Sequence, residues 1–530
     1  MTRPPSAERR RFLRQGAVLS LGLPTFGLFA DSLPAAERRR AAAFDPVGRS
    51  FAELQQAMAG GESSATALVG AYLDRIARFD HAGPQYRSVL AVNPTALDEA
   101  RRLDQERKAG KLRGPLHGIP LLIKDNIETL DPLPTTAGSL ALARSFHSAD
   151  APLVARLRAA GAIVLGKANL SEWANFRGNR STSGWSAVGG QTRNAHDRLR
   201  NPSGSSAGSA VGAAASFCAA AIGTETDGSI LSPASVNGIV GLKPTVGAVS
   251  GKGIVPITPR QDTAGPMARS VADAAALFAA MREPGNTAVP DLAQLEAARL
   301  RGLRIGVLAP AGSSHSGAAG VHESVRAALA HEGAIVLDAE APPGFATFGD
   351  AEYESMLFEF KVALESYLGD LDPARVPTRS LAALIDFNQT EAARELGIFG
   401  QEIFVSAAAK SSLEDPAYRR ALAAVLQGAE TDGLAVLFAT TRADLLLALS
   451  NGPAELIDPV WGDRPDGGWP VLASAAAAAG YPSITVPAGF IRGLPIGVTL
   501  VARRFAEGAL LEAAFALERV LQARRAPLIG

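Results

Sequence analysis

The feature that most constrains the fold is an alternation of short apolar runs with longer amphipathic stretches, which begins near residue 44. In one amphipathic stretch, Leu68, Tyr72 and Ile76 recur every four residues and therefore share one face of a helix. The apolar runs are four to six residues long, which suits strands that are buried on both faces. These strand-like runs are residues 119–123, 162–165, 303–308, 434–439 and 483–487.

Strands that alternate with helices predict an α/β fold. We expect one large α/β/α layered domain around a central mixed, mainly parallel sheet, spanning residues 44–528. Residues from about 341 to 460 are rich in helical patterns and are predicted to form a cap or insertion within it. Other helices are predicted at 51–58, 64–78, 154–160 and 507–524, and the last of these is expected to cover the sheet.

The composition excludes several classes of protein. Lys+Arg and Asp+Glu both total 52, so the chain lacks the basic surplus with which proteins bind nucleic-acid phosphates. A hydrophobic content of 47% with zero net charge is the opposite of a disordered composition. The single cysteine, Cys218, cannot form an internal disulfide, and its small neighbours suggest an inert buried thiol. Cysteine-rich zinc sites are excluded, and the seven histidines are scattered without metal-binding spacing.

The first thirty residues do not belong to the predicted domain. An arginine-rich head at 9–14 precedes an apolar run from Gly16 to Ala30, which is the layout of an export signal. The apolar run is shorter than the length of about 20 residues that a transmembrane helix needs. Paired arginines before Phe12 and Leu13 resemble the twin-arginine signal, so we expect export to the periplasm, without stable membrane association after signal removal. A basic, disordered N-terminus ahead of a stray helix is the alternative.

Two motifs suggest other chemistries and are disfavoured by their context. Residues 247–253 are a near miss to a phosphate-binding loop, one residue short between the glycines and without the Ser or Thr that binds magnesium. Residues 204–208 satisfy the Gly-x-Ser-x-Gly pattern of the α/β-hydrolase nucleophile elbow. That elbow needs a strand before it and a histidine late in the chain, whereas Asn201-Pro202 precedes it and the last histidine is His331.

One lysine and two Gly/Ser-rich loops together offer chemistry that needs no histidine. Lys124 follows the apolar run at 119–123, and burial can lower its pKa from about 10.4 toward neutrality, which would make it a base. A serine becomes a nucleophile when a neighbouring base removes its proton. Ser205 and Ser229 each lie in one of the loops, and glycines around Ser229 leave backbone N–H groups unobstructed for a developing oxyanion.

These three segments resemble those of the amidase signature family, and the resemblance extends from about residue 50 to 525. Other matching segments are 116–120, 241–245 and 480–483. The resemblance implies the amidase signature fold and a Ser–cis-Ser–Lys triad. Lys124 matches the base, Ser205 the bridging serine after a cis peptide bond, and Ser229 the nucleophile.

The resemblance also implies a reaction. Within the family the chain looks most like the bacterial peptide amidases, on segments 169–179 and 183–186. We therefore expect hydrolysis of a carboxamide C–N bond with release of ammonia, acting on the C-terminal amides of peptides through an acyl-enzyme. The backbone N–H groups of Thr226, Asp227 and Gly228 match the oxyanion hole. No metal or organic cofactor is expected, and the partner is a peptide or small-molecule amide substrate.

Two departures from the family pattern bear on the substrate. Leu231 stands where many members have an arginine, and the loss of a guanidinium disfavours substrates that carry a carboxylate. Ser203 and Ala207 replace glycines, and both are small enough to keep the loop geometry. Simple aliphatic amides, aryl amides and esters are the alternative substrates. An exported binding protein that has lost turnover is the alternative from another class, and the oligomeric state is left open.

Overall fold

The computed structural model describes residues 44–285, 287–310, 316–464 and 471–529. The predicted export signal at residues 1–30 lies outside this part of the chain. The described residues form a large α/β domain whose central sheet is covered by helices on both faces.

Thirteen strands occur in the described residues, and eleven of them form one mixed sheet. In chain order they are β1 (Val89–Val92), β2 (Pro120–Lys124), β3 (Ile163–Ala168), β4 (Trp185–Ser186), β5 (Gly190–Gln191), β6 (Ala220–Glu225), β7 (Val240–Lys243), β8 (Thr263–Ala268), β9 (Arg304–Leu308), β10 (Ile335–Ala339), β11 (Leu445–Leu449), β12 (Ser483–Ile491) and β13 (Leu494–Val501). The order across the sheet is β1-β3-β2-β6-β8-β7-β12-β13-β11-β9-β10, and β4 with β5 forms a separate ribbon.

Parallel pairing occurs in two runs, β3-β2-β6 and β11-β9-β10. The strands between these runs pair antiparallel, as does β1 with β3. Strands β2, β3 and β6 are buried along their whole length, which fits the apolar residues that begin each of them; Lys124, Lys167 and Glu225 lie at or near their carboxyl ends. The structure confirms the predicted α/β class and mixed sheet, with the antiparallel pairs concentrated in the middle.

Helices fill the connections between the strands. The α-helices are α1 (Phe51–Ala59), α2 (Ala65–Arg75), α3 (Ala96–Lys108), α4 (Pro152–Ala159), α5 (Ala207–Ala214), α6 (Leu231–Val236), α7 (Val271–Met281), α8 (Leu292–Ala297), α9 (Ser316–His331), α10 (Gly349–Asp370), α11 (Leu381–Thr390), α12 (Ala392–Glu395), α13 (Glu402–Ala408), α14 (Pro416–Val425), α15 (Ala435–Thr441), α16 (Val471–Ala478) and α17 (Glu507–Leu521). The helices predicted at 51–58, 154–160 and 507–524 are confirmed as α1, α4 and α17, and the helix at 64–78 as α2 with its π-helical extension Ile76–His81. Helix α17 packs on β12, as expected for a helix that covers the sheet.

The strand predicted at 434–439 is wrong, because these residues are helical. In this segment Leu434, Leu437 and Phe438 are buried while Val436 is exposed, which is the period of a helix and not of a strand. A short apolar run does not distinguish a buried strand from one turn of a helix. The sheet strand of this region is β11, a few residues further along the chain.

Helices α10 to α15 occupy most of the predicted cap region, whereas β11 within that region belongs to the central sheet. The π-helical segment Leu426–Leu434 joins α14 to α15. The continuous helical stretch Pro416–Thr441 has the length and hydropathy of a membrane span, and 44% of its apolar window is buried inside the protein. Its N-terminal part, α14, packs against α10, so much of its apolar surface serves the core.

The cap helices share a hydrophobic cluster with loops of the sheet domain. In this cluster Leu357 and Phe360 of α10 lie together with Phe404 of α13. Trp173 and Phe176, from the loop after β3, pack into the same cluster; the Trp173 ring meets Phe404 edge-on at 5.6 Å between centroids. The cap is therefore anchored on the loop that follows β3, close to the carboxyl ends of β2 and β6.

Candidate active site

Lys124 is the last residue of β2 and is completely buried. Its Nζ lies 2.8 Å from the Oγ of Ser205 and 2.8 Å from the Oγ1 of Thr224, which belongs to the neighbouring strand β6. Burial lowers the pKa of Lys124 from 10.5 to about 7, although the negative charges of Asp262 and Glu225 act in the opposite direction. Near neutral pH a large fraction of this amine is uncharged, so Lys124 can accept a proton.

Ser205 lies in the loop that leads into α5, and its side chain is buried. The peptide bond between Gly204 and Ser205 is cis, as the family resemblance implies. A Cβ atom on Gly204 would collide with the Oγ of Ser171 and would lie 3.0 Å from the Oγ of Ser183. Glycine is therefore required before Ser205 because neighbouring serines occupy the space of a side chain.

Ser229 lies in the loop between β6 and α6 and lines a cavity of about 200 Å³. Gly204 lines the same cavity. The backbone N–H of Ser206 donates to the carbonyl of Ser229 over 3.1 Å, which joins the two serine loops directly. The structure thus brings both predicted serines to one place, with Lys124 in direct contact with Ser205.

Thr226, Asp227 and Gly228, the residues expected to form the oxyanion hole, also line this cavity. Gly228 has a φ of 74°, in the left-handed region that glycine adopts without steric cost. The Oγ1 of Thr226 donates to the Oδ1 of Asp262 over 2.6 Å. This bond ties the start of the loop to the residues just before β8.

Glu225, which the sequence did not single out, is hydrogen-bonded to the loop that carries Ser229. Its buried carboxylate accepts hydrogen bonds from the backbone N–H groups of Ile230 at 2.6 Å and Leu231 at 3.0 Å. Burial raises the pKa of Glu225, and the charge of Lys243 partly offsets this effect. The sequence signal for Glu225 was an acidic residue at the end of a buried apolar strand.

The loop after β3 forms another wall of the cavity. Trp173, Ala174 and Asn175 have φ values of 51°, 52° and 74°, an unusual run of non-glycine residues in the left-handed region. Ala174 and Asn175 line the cavity together with Phe176. Such backbone persists only where surrounding contacts determine it, and it is common at ligand-binding sites.

A buried arginine, which the sequence also did not reveal, holds this loop against the cap. Arg177 has no exposed surface and forms ion pairs with Glu172 and, at 3.4 Å, with Glu395 of α12. Its guanidinium also lies 4.1 Å from the ring centroid of Phe399 and donates to the carbonyl of Gly400 over 3.2 Å. The cap is therefore fixed to a wall of the cavity by charge as well as by apolar packing.

The remaining lining of the cavity is mixed. Apolar side chains come from Leu231, Ile257, Ala473 and, on cap helix α10, Met356. Hydroxyls come from Ser232, Ser450 and Ser474. Among the residues that the structure describes, no group of three or more His, Cys, Asp or Glu side chains is arranged to hold a metal ion. Cys218 is buried as predicted, and burial raises the pKa of its thiol to about 12.

Comparisons with known proteins agree with this architecture. The family model described as Amidase matches residues 67–511. The chain is 38% identical over 480 residues to a probable amidase of Arabidopsis thaliana, covering 87% of each protein. It is 33% identical over 494 residues to a glutamyl-tRNA(Gln) amidotransferase subunit of Symbiobacterium thermophilum, covering 89% of this chain and 96% of that protein.

Two solved structures of peptide amidase are more similar still. The peptide amidase PAM in complex with the competitive inhibitor chymostatin is 49% identical, with a TM-score of 0.87 over 92% of this chain and 100% of that one. Native peptide amidase from Stenotrophomonas maltophilia is 48% identical, with a TM-score of 0.85 over 91% of this chain and 99% of that one.

The α/β fold, taken with these matches, defines an enzyme that hydrolyses amides. The chain belongs to the amidase signature family, and its fold is the one found in bacterial peptide amidase.

Proposed function

We propose that this enzyme removes the C-terminal amide of peptides and releases ammonia. The 49% identity to peptide amidase, over 92% of the chain, supports a peptide amide as the substrate. The cavity lining supports it too, because no lysine or arginine occurs among the described lining residues and Leu231 contributes an apolar wall. Such a cavity suits a neutral carboxamide and offers no cation to hold a carboxylate.

The observation that carries the mechanism is the 2.8 Å contact between the Nζ of Lys124 and the Oγ of Ser205. Uncharged Lys124 takes the proton of Ser205 while Ser205 takes the proton of Ser229. The Oγ of Ser229 then bonds to the carbonyl carbon of the amide, and the carbonyl oxygen becomes an oxyanion. Backbone N–H groups of the loop from Thr226 to Ser229 stabilise that charge, each contributing about 3 kcal/mol when well aligned.

The intermediate collapses when its C–N bond breaks. Ser205 passes a proton to the departing nitrogen and is reprotonated by Lys124, so ammonia leaves and the acyl group stays as an ester on Ser229. Water then attacks this ester and the same relay takes its proton. The C–O bond to Ser229 breaks, Ser229 takes that proton back through Ser205, and the peptide leaves as a carboxylic acid that ionises. Both half-reactions use the side chains already in place and need no metal or organic cofactor.

We also propose that the enzyme works outside the cytoplasm. The arginine-rich head and apolar run of residues 9–30 support twin-arginine export, which carries proteins that have already folded. A chain with one cysteine forms no internal disulfide, so folding in the reducing cytosol before export does not reduce its stability.

The experiment for the substrate measures ammonia release from a matched panel. The panel holds dipeptide and tripeptide amides, the corresponding free amino-acid amides, simple aliphatic amides, and methyl esters of the same peptides scored by alcohol release. The proposal predicts the highest kcat/KM for peptide amides. A simple aliphatic amide that is hydrolysed equally well would contradict it. Ser229→Ala should abolish ammonia release from every amide of the panel. Ser232→Ala, which alters a different serine of the same cavity, is the matched control and should retain activity.

A further inference from the structure

Asp227 is the single ionisable side chain among the described residues that line the catalytic cavity. It lies two residues before Ser229 and is partly exposed to the cavity, whereas the neighbouring acid Glu225 is buried. The backbone of Asp227 belongs to the nucleophile loop, but its carboxyl group has no part in the proton relay described above. Because its side chain lines the cavity, Asp227 can influence which ligands bind there.

The groups that face Asp227 come from three elements. Glu225 at the end of β6 and Glu352 on α10 are buried carboxyls, and Lys243 at the end of β7 is a buried ammonium. The Nε2 of Gln261 donates to the Oε1 of Glu352 over 2.6 Å, which holds that carboxyl in place. Two acids and one base around Asp227 leave the cavity wall without a surplus of positive charge.

Asp227 changes charge near neutral pH. Burial and the Glu225 charge raise its pKa to about 7, against the opposing effects of the Ser474 hydroxyl and Lys243. Because the pKa is raised, the side chain is neutral well below this pH and a carboxylate above it. Burial, and after it the negative charge of Asp227, raises the pKa of Glu352 to about 8, so Glu352 titrates above Asp227.

Amide hydrolysis changes the charge of the ligand at this position. The substrate is a neutral carboxamide, and the product is a carboxylate bonded at the same carbon. A product carboxylate in this cavity of about 200 Å³ would share it with the Asp227 carboxylate. Like charges in one partly buried site repel each other, and no lysine or arginine lines the described cavity to offset this. Leu231, also in the wall, adds no donor that could hold the product.

We propose that the Asp227 side chain makes the cavity selective for neutral carboxamides over carboxylates and promotes release of the peptide acid after hydrolysis. The inference rests on the proposed function and deepens it, because it names a residue that sets the charge preference of that site. Asp227 thus acts as a specificity-determining residue, and the free peptide acid should inhibit the enzyme only weakly.

The test measures binding without turnover. In a Ser229→Ala background, calorimetry gives Kd for one acetylated dipeptide amide and for the dipeptide acid of the same sequence, at about pH 8 where Asp227 is ionised. We expect the acid to bind at least about tenfold more weakly than the amide. Adding Asp227→Asn, which keeps the shape and removes the charge, should lower the acid-to-amide ratio of Kd by about tenfold. Met356→Leu, another lining residue, should leave the ratio unchanged.

Measurement at about pH 6 adds a second criterion, since Asp227 is then mostly neutral. The ratio should rise between the two pH values with Asp227 present. It should rise less in the Asp227→Asn variant, where Asp227 no longer contributes and buried groups such as Lys124, Lys243 and Glu352 still titrate. If both ligands bind and Asp227→Asn leaves the ratio and its pH dependence unchanged, the inference is wrong while the proposed function stands. If neither ligand binds, the proposed function fails and the inference fails with it.

Discussion

The Nζ of Lys124 lies 2.8 Å from the Oγ of Ser205, at the end of a strand that is buried along its whole length. The contact joins a lysine whose pKa is lowered to about 7 with a serine whose loop is hydrogen-bonded to the backbone of Ser229. The proposed base at the end of β2, the proposed bridging serine before α5 and the proposed nucleophile after β6 are thereby brought to one place.

Replacing Lys124 by methionine removes the base and keeps an unbranched side chain in the buried site. We expect kcat for a peptide amide to fall roughly a thousandfold, because positioned acid–base groups contribute about a hundredfold to ten-thousandfold. Steady-state ammonia release measures the effect, and circular dichroism establishes that the variant is folded. A folded variant with nearly full activity would exclude Lys124 as the base.

The activity should rise with pH through the pKa of Lys124. Burial lowers this pKa from 10.5 to about 7, so the amine is protonated and inactive well below that pH and is a free base above it. The expected profile of kcat/KM increases from about pH 5 and levels off above about pH 8. Asp227 titrates in the same range, so the profile is also recorded for Asp227→Asn, and the rise should persist there. A flat profile in both enzymes would contradict the assignment.

Glu225 should support the nucleophile loop through its two backbone hydrogen bonds. Glu225→Leu leaves the buried N–H groups of Ile230 and Leu231 without an acceptor, so we expect a loss of about 3 kcal/mol in the free energy of unfolding. Activity should fall as well, because the loop carries Ser229. Glu225→Gln keeps an acceptor oxygen and is the matched control, with a clearly smaller loss in urea denaturation. Equal losses in both variants would show that the charge matters and the hydrogen bonds do not.

Arg177 should stabilise the contact between the cap and the cavity wall. Arg177→Met leaves the buried carboxyls of Glu172 and Glu395 without their cation, and breaking such a pair costs about 3–5 kcal/mol. Because Asn175 and Phe176 line the cavity next to this residue, KM should rise more than kcat falls. Arg177→Lys keeps the charge without the forked geometry and should give an intermediate result. Unchanged stability and KM in Arg177→Met would refute this role.

The sequence singled out the residues predicted to be catalytic, and it did not single out the residues that support them. Lys124 ends an apolar run, which allowed a lowered pKa, and the resemblance to the amidase signature family assigned it the role of base. Burial lowers its pKa, as that position predicts. The ion pair between Arg177 and Glu395 was not predicted, because it joins residues 218 positions apart and no local pattern reveals it. Glu172 lies only five positions from Arg177, but its role depends on the same buried arginine. The misplaced strand at 434–439 has a local cause, since its apolar residues fit a strand and a helix equally well until neighbouring helices decide which face is buried.

The most direct test of the account is the position of the covalent adduct. The enzyme is treated with a fluorophosphonate, a reagent for activated serines, and its proteolytic peptides are analysed by mass spectrometry. The account predicts one modified serine, Ser229, with no label in Ser229→Ala and greatly slowed labelling in Lys124→Met. Labelling of a different serine, or undiminished ammonia release from a peptide amide by Ser229→Ala, would contradict it.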